Sequence, residues 1–99
     1  MNFAEIKKLV VAEYDQRELK SDVRYKALDD FEDFLKKKEM LELWNDVSKF
    51  PRDKKQMKFV YCRYLDKETL SGAESSMINE VYTQIDGREI ELTDYSKED

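Results

Sequence analysis

The chain has 99 residues, which suits a single domain, and its 18 basic and 23 acidic side chains leave a formal net charge of −5. Apolar residues make up 40% of the chain, including twelve aromatic residues, so a packed core is expected instead of disorder. With two glycines, one proline and no histidine, the composition argues against a β sandwich or barrel and excludes His-based catalysis, His-ligated metal and a His pH switch.

The N-terminal segment has the apolar spacing of a helix. Phe3, Ile6, Val10 and Tyr14 recur at steps of three and four residues. Asn2 precedes this stripe as a candidate N-cap. These features predict a first helix over about residues 3–18.

A second helix is predicted over 22–37, because Ser21 provides a hydroxyl cap and Asp22 an acid in the first turn. Ala27, Leu28, Phe31, Phe34 and Leu35 then recur with helical period. We place a break near residues 38–39.

Two shorter apolar sets follow in the chain. The first, with Leu41, Trp44 and Val47, predicts a helix over 40–48. Pro51 then suits the first turn of a fourth helix, predicted over 52–66. A strand is the alternative there, since residues 59–62 are β-prone.

The C-terminal third supports two structures. Ser71 and Glu74 form a capping-box pattern, and the apolar residues from Met77 to Ile85 have helical spacing. The alternative is a β hairpin over 81–92 around an Asp86-Gly87 turn. The fold class is therefore mainly α, with this hairpin as the alternative that would make it α+β.

The expected organisation is one globular domain over 1–92 and a flexible acidic tail over 93–99. The predicted core comprises Ile6, Leu9, Val10, Leu28, Phe31, Leu35, Leu41, Trp44, Val47, Val60, Leu65, Met77, Val81 and Ile85.

No pattern for catalysis or for binding a cofactor or metal emerges. The glycines are too far apart for a phosphate loop, and the acidic run over 29–33 indicates a solvated helix face. The single cysteine, Cys62, suits a buried position and a reducing cytoplasm. No signal peptide or membrane-spanning run is found, so we expect a cytoplasmic protein. Because no catalytic pattern is found either, we expect that it is not an enzyme.

Charge is unevenly placed along the chain. Residues 49–65 contain six bases and one acid, a balance of +5, whereas residues 66–99 contain ten acids and three bases, a balance of −7. We expect a non-catalytic, acidic protein-binding module that acts as an inhibitor or adaptor of a larger protein, because tyrosine is enriched in binding surfaces. The expected contacts are Tyr61, Tyr64, Tyr82, Glu80, Asp86, Glu89 and Glu91, with Tyr95 as a further tyrosine.

In one form of this hypothesis, the acidic segment fills a basic groove of a nucleic-acid enzyme. The small size and acidity resemble those of phage-encoded inhibitors of host enzymes. The alternative function is nucleic-acid binding by the basic 49–63 segment through Lys54, Lys55, Lys58 and Arg63.

The aromatic spacing over about a third of the chain resembles the central helices of regulator-of-G-protein-signalling domains. The matching residues are Phe31, Phe34, Leu43, Trp44, Val47, Phe50, Tyr61 and Tyr64. The resemblance implies an all-helical fold. Because the loop over 38–41 is shorter than in that family, we transfer no functional residues.

Overall fold

The computed structural model describes residues 1–18 and 21–98, with side chains as far as Gly87. This part of the chain is mainly helical and contains no strand. Its helices are α1 (Phe3–Gln16), α2 (Asp22–Lys36), α3 (Leu41–Asn45), α4 (Lys54–Leu65) and α5 (Gly72–Glu98), with 3₁₀ turns at Lys38–Met40 and Val47–Lys49.

Side-chain caps start four of these helices. Asn2 caps α1, Ser21 caps α2 and Ser71 accepts a hydrogen bond from the Glu74 amide at 3.2 Å at the start of α5. These three starts confirm the prediction. The fourth helix begins later than predicted, because Asp53 is its cap and accepts from the Lys55 amide at 2.9 Å. Pro51 therefore lies in the linker before α4.

The hairpin alternative has no support in the structure. Residues 81–85, its proposed first strand, are helical, and Gly87 lacks the positive φ that a type I′ turn requires. The apolar residues Met77, Ile78, Val81, Tyr82 and Ile85 instead pack as one buried stripe of α5. The side chains of the predicted 93–99 tail lie outside the described part.

The core is dominated by aromatic rings that surround Phe31. Its ring centroid lies 5.5 Å from that of Phe3 on α1, 5.3 Å from that of Tyr61 on α4 and 6.3 Å from that of Phe50 in the linker. Edge-to-face pairs of this kind add to the stabilisation from burial. One residue of α2 thus holds three segments together.

Most of the predicted core is buried, but five positions differ. Leu41 is 46% exposed and lies on the short helix α3, which has no fully buried residue. Leu9, Trp44, Val60 and Leu65 are only partly buried and pack against the edge of the core. Buried residues missing from the prediction are Phe3, Tyr14, Ala27, Phe34, Phe50, Met57, Tyr61, Ile78 and Tyr82.

Candidate functional site

Helix α4 turns an aromatic side chain towards solvent. Met57 and Tyr61 are fully buried, whereas Phe59 between them is 60% exposed. Because each helical residue advances by about 100°, Phe59 lies about 180° from the midline of its two buried neighbours. Burial of Met57 and Tyr61 therefore forces Phe59 to the middle of the outward surface.

Basic side chains flank this exposed ring. Lys55 and Arg63 lie four residues before and after Phe59, and the Arg63 guanidinium carbon is 5.8 Å from the centroid of the Phe59 ring. We call Lys55, Phe59 and Arg63, with Lys58 at the edge, the α4 face. Lys54, in the first turn of α4, lies about 140° from Phe59 around the helix and belongs to another side. Helix α4 as a whole carries four positive charges and no acidic residue.

Among the described side chains, the four cations of α4 form no ion pair. None of them lies within 4.0 Å of a carboxylate there. In contrast, Lys7 of α1 bonds Asp29 at 2.9 Å and Glu32 at 3.1 Å, and so joins α1 to α2. The charges on α4 are thus available to an external anion.

The expected tyrosine contacts are mostly part of the core. Tyr61 and Tyr82 are buried, because each occupies the inward side of its helix, and we remove them from the candidate contacts. Tyr64 is 44% exposed, but its ring packs 4.9 Å from that of Phe34, away from Phe59. The side chain of Tyr95 lies outside the described part.

The acidic candidates do not form a continuous surface in the described part. Glu80 is largely buried and accepts a hydrogen bond from Arg17 at 3.4 Å, which ties α5 to α1. Asp86 is exposed. The side chains of Glu89 and Glu91 lie outside the described part, so the groove-filling acidic surface remains a sequence-based prediction.

The acidic run of α2 is occupied by lysines. Asp29 and Glu32 bond Lys7, and Asp30 bonds Lys26 at 3.1 Å. Among the described side chains, no group of three Cys, Asp or Glu residues is arranged to hold a metal ion.

A shallow cavity of about 230 Å³ lies between α5 and the linker before α4. Phe50 and Tyr82 supply its apolar side, and Arg52 and Asp86 supply opposite charges. The Tyr82 hydroxyl is already bonded to the Pro51 carbonyl at 2.6 Å. The cavity therefore lacks a polar group that is both buried and available to a ligand.

No protein-family model, curated protein or solved structure matches the chain. The resemblances to regulator-of-G-protein-signalling domains and to phage-encoded inhibitors therefore gain no support. None of the described helices is long and apolar enough to cross a membrane.

Phe59 is the functional candidate that the sequence analysis missed. In a strand over 59–62, Phe59 would share a face with Tyr61, whereas in the observed helix it lies opposite Tyr61 and Met57. Its position between Lys55 and Arg63 in a segment without acids was the available signal.

Proposed function

We propose that this protein is a non-catalytic module that binds another protein through the α4 face and acts as an inhibitor or adaptor. The observation that carries the proposal is the exposure of Phe59, a large apolar side chain at the middle of a solvent-facing helix surface. Its neighbours Lys55 and Arg63 form no ion pair with the described carboxylates.

Such a face can contribute to binding both through burial of apolar surface and through electrostatic attraction. Full burial of a phenylalanine side chain contributes about 1.5–3 kcal/mol, and more than half of Phe59 remains to be buried. Cations around an apolar centre mainly raise the association rate and select the partner. This combination fits the centre and rim of a protein interface.

A pull-down from lysate with the immobilised chain tests the proposal. The triple variant K55E/F59S/R63E removes the α4 face, and K8E/V23S/K37E is its matched control. The control makes the same change in charge and removes another exposed apolar side chain, Val23, on α2. Circular dichroism and urea unfolding establish that both variants are folded.

We expect a specific protein to be retained by the wild type and by the control but lost from the α4-face variant. Retention of the same proteins by all three chains would contradict the proposal.

Nucleic-acid binding is the second candidate. Lys54, Lys55, Lys58 and Arg63 lie on one helix and form no ion pair with the described carboxylates, and Phe59 offers a ring for base stacking. This function predicts a gel shift with single-stranded DNA that weakens steeply with salt and disappears in K55E/F59S/R63E. The absence of a shift at low salt would eliminate it.

A further inference from the structure

We infer that the segment which docks on the α4 face is acidic and amphipathic, with an apolar side chain over Phe59 and carboxylates on either side of it, opposite Lys55 and Arg63. This inference rests on the proposed function and specifies the chemistry of the partner.

Because Phe59 and Arg63 are in contact, a partner that buries the Phe59 ring must also accommodate the positive charge of Arg63. A partner that covers the Phe59 ring must also remove water from the guanidinium group, whose carbon is 5.8 Å from the ring centroid. A buried cation without an anionic partner is strongly unfavourable. An apolar partner surface without carboxylates would therefore lose much of what burial of Phe59 gains.

The spacing of the charges sets the length of the docking segment. Lys55 and Arg63 are eight residues apart, which is about 12 Å along a helix axis, with Phe59 halfway between them. Two to three turns of an acidic helix span this distance. Carboxylates separated by an apolar side chain are the complement of a cation–Phe–cation row.

A short acidic protein segment fits this face better than a nucleic acid does. The whole chain has a net charge of −5, and residues 66–99 alone contribute −7. A nucleic acid carries negative charge along its full length, so the net negative charge of the chain disfavours contacts that extend beyond the α4 face. An acidic protein segment needs charge only over the width of the face.

Fluorescence anisotropy with defined probes tests the inference. One labelled helical peptide has Glu at positions i and i+8 and Leu at i+4. A second has Gln in place of both Glu residues, a third has Lys there, and the fourth probe is single-stranded DNA. Titrations use the wild type, F59S and K55E/R63E at low and moderate salt.

We expect the Glu peptide to bind the wild type at least about tenfold more tightly than the Gln peptide or the DNA, an advantage that shrinks with salt. F59S should weaken this binding by about tenfold. The Lys peptide should bind K55E/R63E in preference to the wild type, because the charges are exchanged on both sides.

Equal binding of the Glu and Gln peptides, failure of the Glu peptide to bind, or tighter binding of DNA would overturn the inference. If the pull-down partner is still lost from K55E/F59S/R63E while the Glu peptide fails, the docking chemistry is wrong and the binding face remains supported. If both experiments fail, the proposed function is also wrong.

Discussion

The hydroxyl of Tyr82 donates a hydrogen bond of 2.6 Å to the carbonyl oxygen of Pro51. The bond joins α5 to the linker that precedes α4, and the Tyr82 ring lies 6.2 Å from that of Phe50 in the same linker. Tyr82 therefore positions the start of α4, although its residue type had suggested a surface contact.

Substitution Tyr82→Phe should lower the free energy of unfolding by about 1 kcal/mol, because it leaves the part-buried Pro51 carbonyl without its donor. Urea unfolding measures the change. Tyr25→Phe is the matched control, since the Tyr25 hydroxyl bonds the exposed Asp15 carboxylate and should contribute less. An equal effect of the two substitutions would contradict this role of Tyr82.

Tyr61→Phe should have the opposite effect. The Tyr61 hydroxyl is buried and has no hydrogen-bond partner among the described residues. Removing an unsatisfied polar group relieves its desolvation cost, so we expect the free energy of unfolding to stay constant or to rise by up to about 1 kcal/mol. A loss of stability in urea unfolding would show that the hydroxyl makes a stabilising contact.

Burial of Tyr61 also predicts that the free energy of unfolding falls at alkaline pH. Desolvation, followed by nearby carboxylates including Glu74, raises the pKa of the Tyr61 hydroxyl above its usual value of 10. Because the unfolded chain ionises first, the stability from this group is complete below about pH 10 and is lost as the pH rises further. Between pH 9 and pH 11 the wild type should therefore lose more stability than Tyr61→Phe does, as measured by urea unfolding at each pH. Parallel pH profiles for the two chains would refute the assignment.

The helical fold was largely predictable from sequence because its signals are local. Asn2, Ser21 and Ser71 each cap the helix they were expected to start, and apolar spacing located α1 and α2 to within two residues. Local sequence could not decide between a helix and a hairpin after Met77, because both structures would bury the apolar residues there. Packing of α5 against α1, α2 and α4 decides it.

The candidate site was less predictable, since residue type does not determine which side of a helix faces the core. Tyr61 and Phe59 are two residues apart and similar in character, yet one is buried and the other exposed. The pairing of Glu80 with Arg17 spans 63 residues of sequence and has no local signal. Local charge counts identified the basic segment but not its aromatic centre.

The contacts of Glu74 at the start of α5 predict that the free energy of unfolding falls at acidic pH. Burial acts to raise the pKa of Glu74, but hydrogen bonds from Lys67 at 2.8 Å and from the Ser71 amide at 3.0 Å outweigh it, so this pKa is lowered. Its stabilising contribution is therefore present above about pH 4.5 and is lost as the pH falls through the lowered value.

Glu74→Gln should cost about 1 kcal/mol at pH 7, and the difference from the wild type should shrink by pH 3, as measured by urea unfolding. Ser71→Ala removes the hydroxyl cap and should cost about 1 kcal/mol at both pH values. A Glu74→Gln effect that is the same at pH 3 and pH 7 would exclude an ionic contribution.

If the α4 face is a binding surface, Phe59 should contribute little to the stability of the isolated chain. Phe59 is 60% exposed, so Phe59→Ser should change the free energy of unfolding by no more than about 0.5 kcal/mol. Phe31→Ala, at the centre of the core, should cost about 3–5 kcal/mol in the same urea experiment. A loss above 2 kcal/mol in Phe59→Ser would mean that the ring supports α4 itself, and the main observation behind the binding proposal would then have a structural explanation.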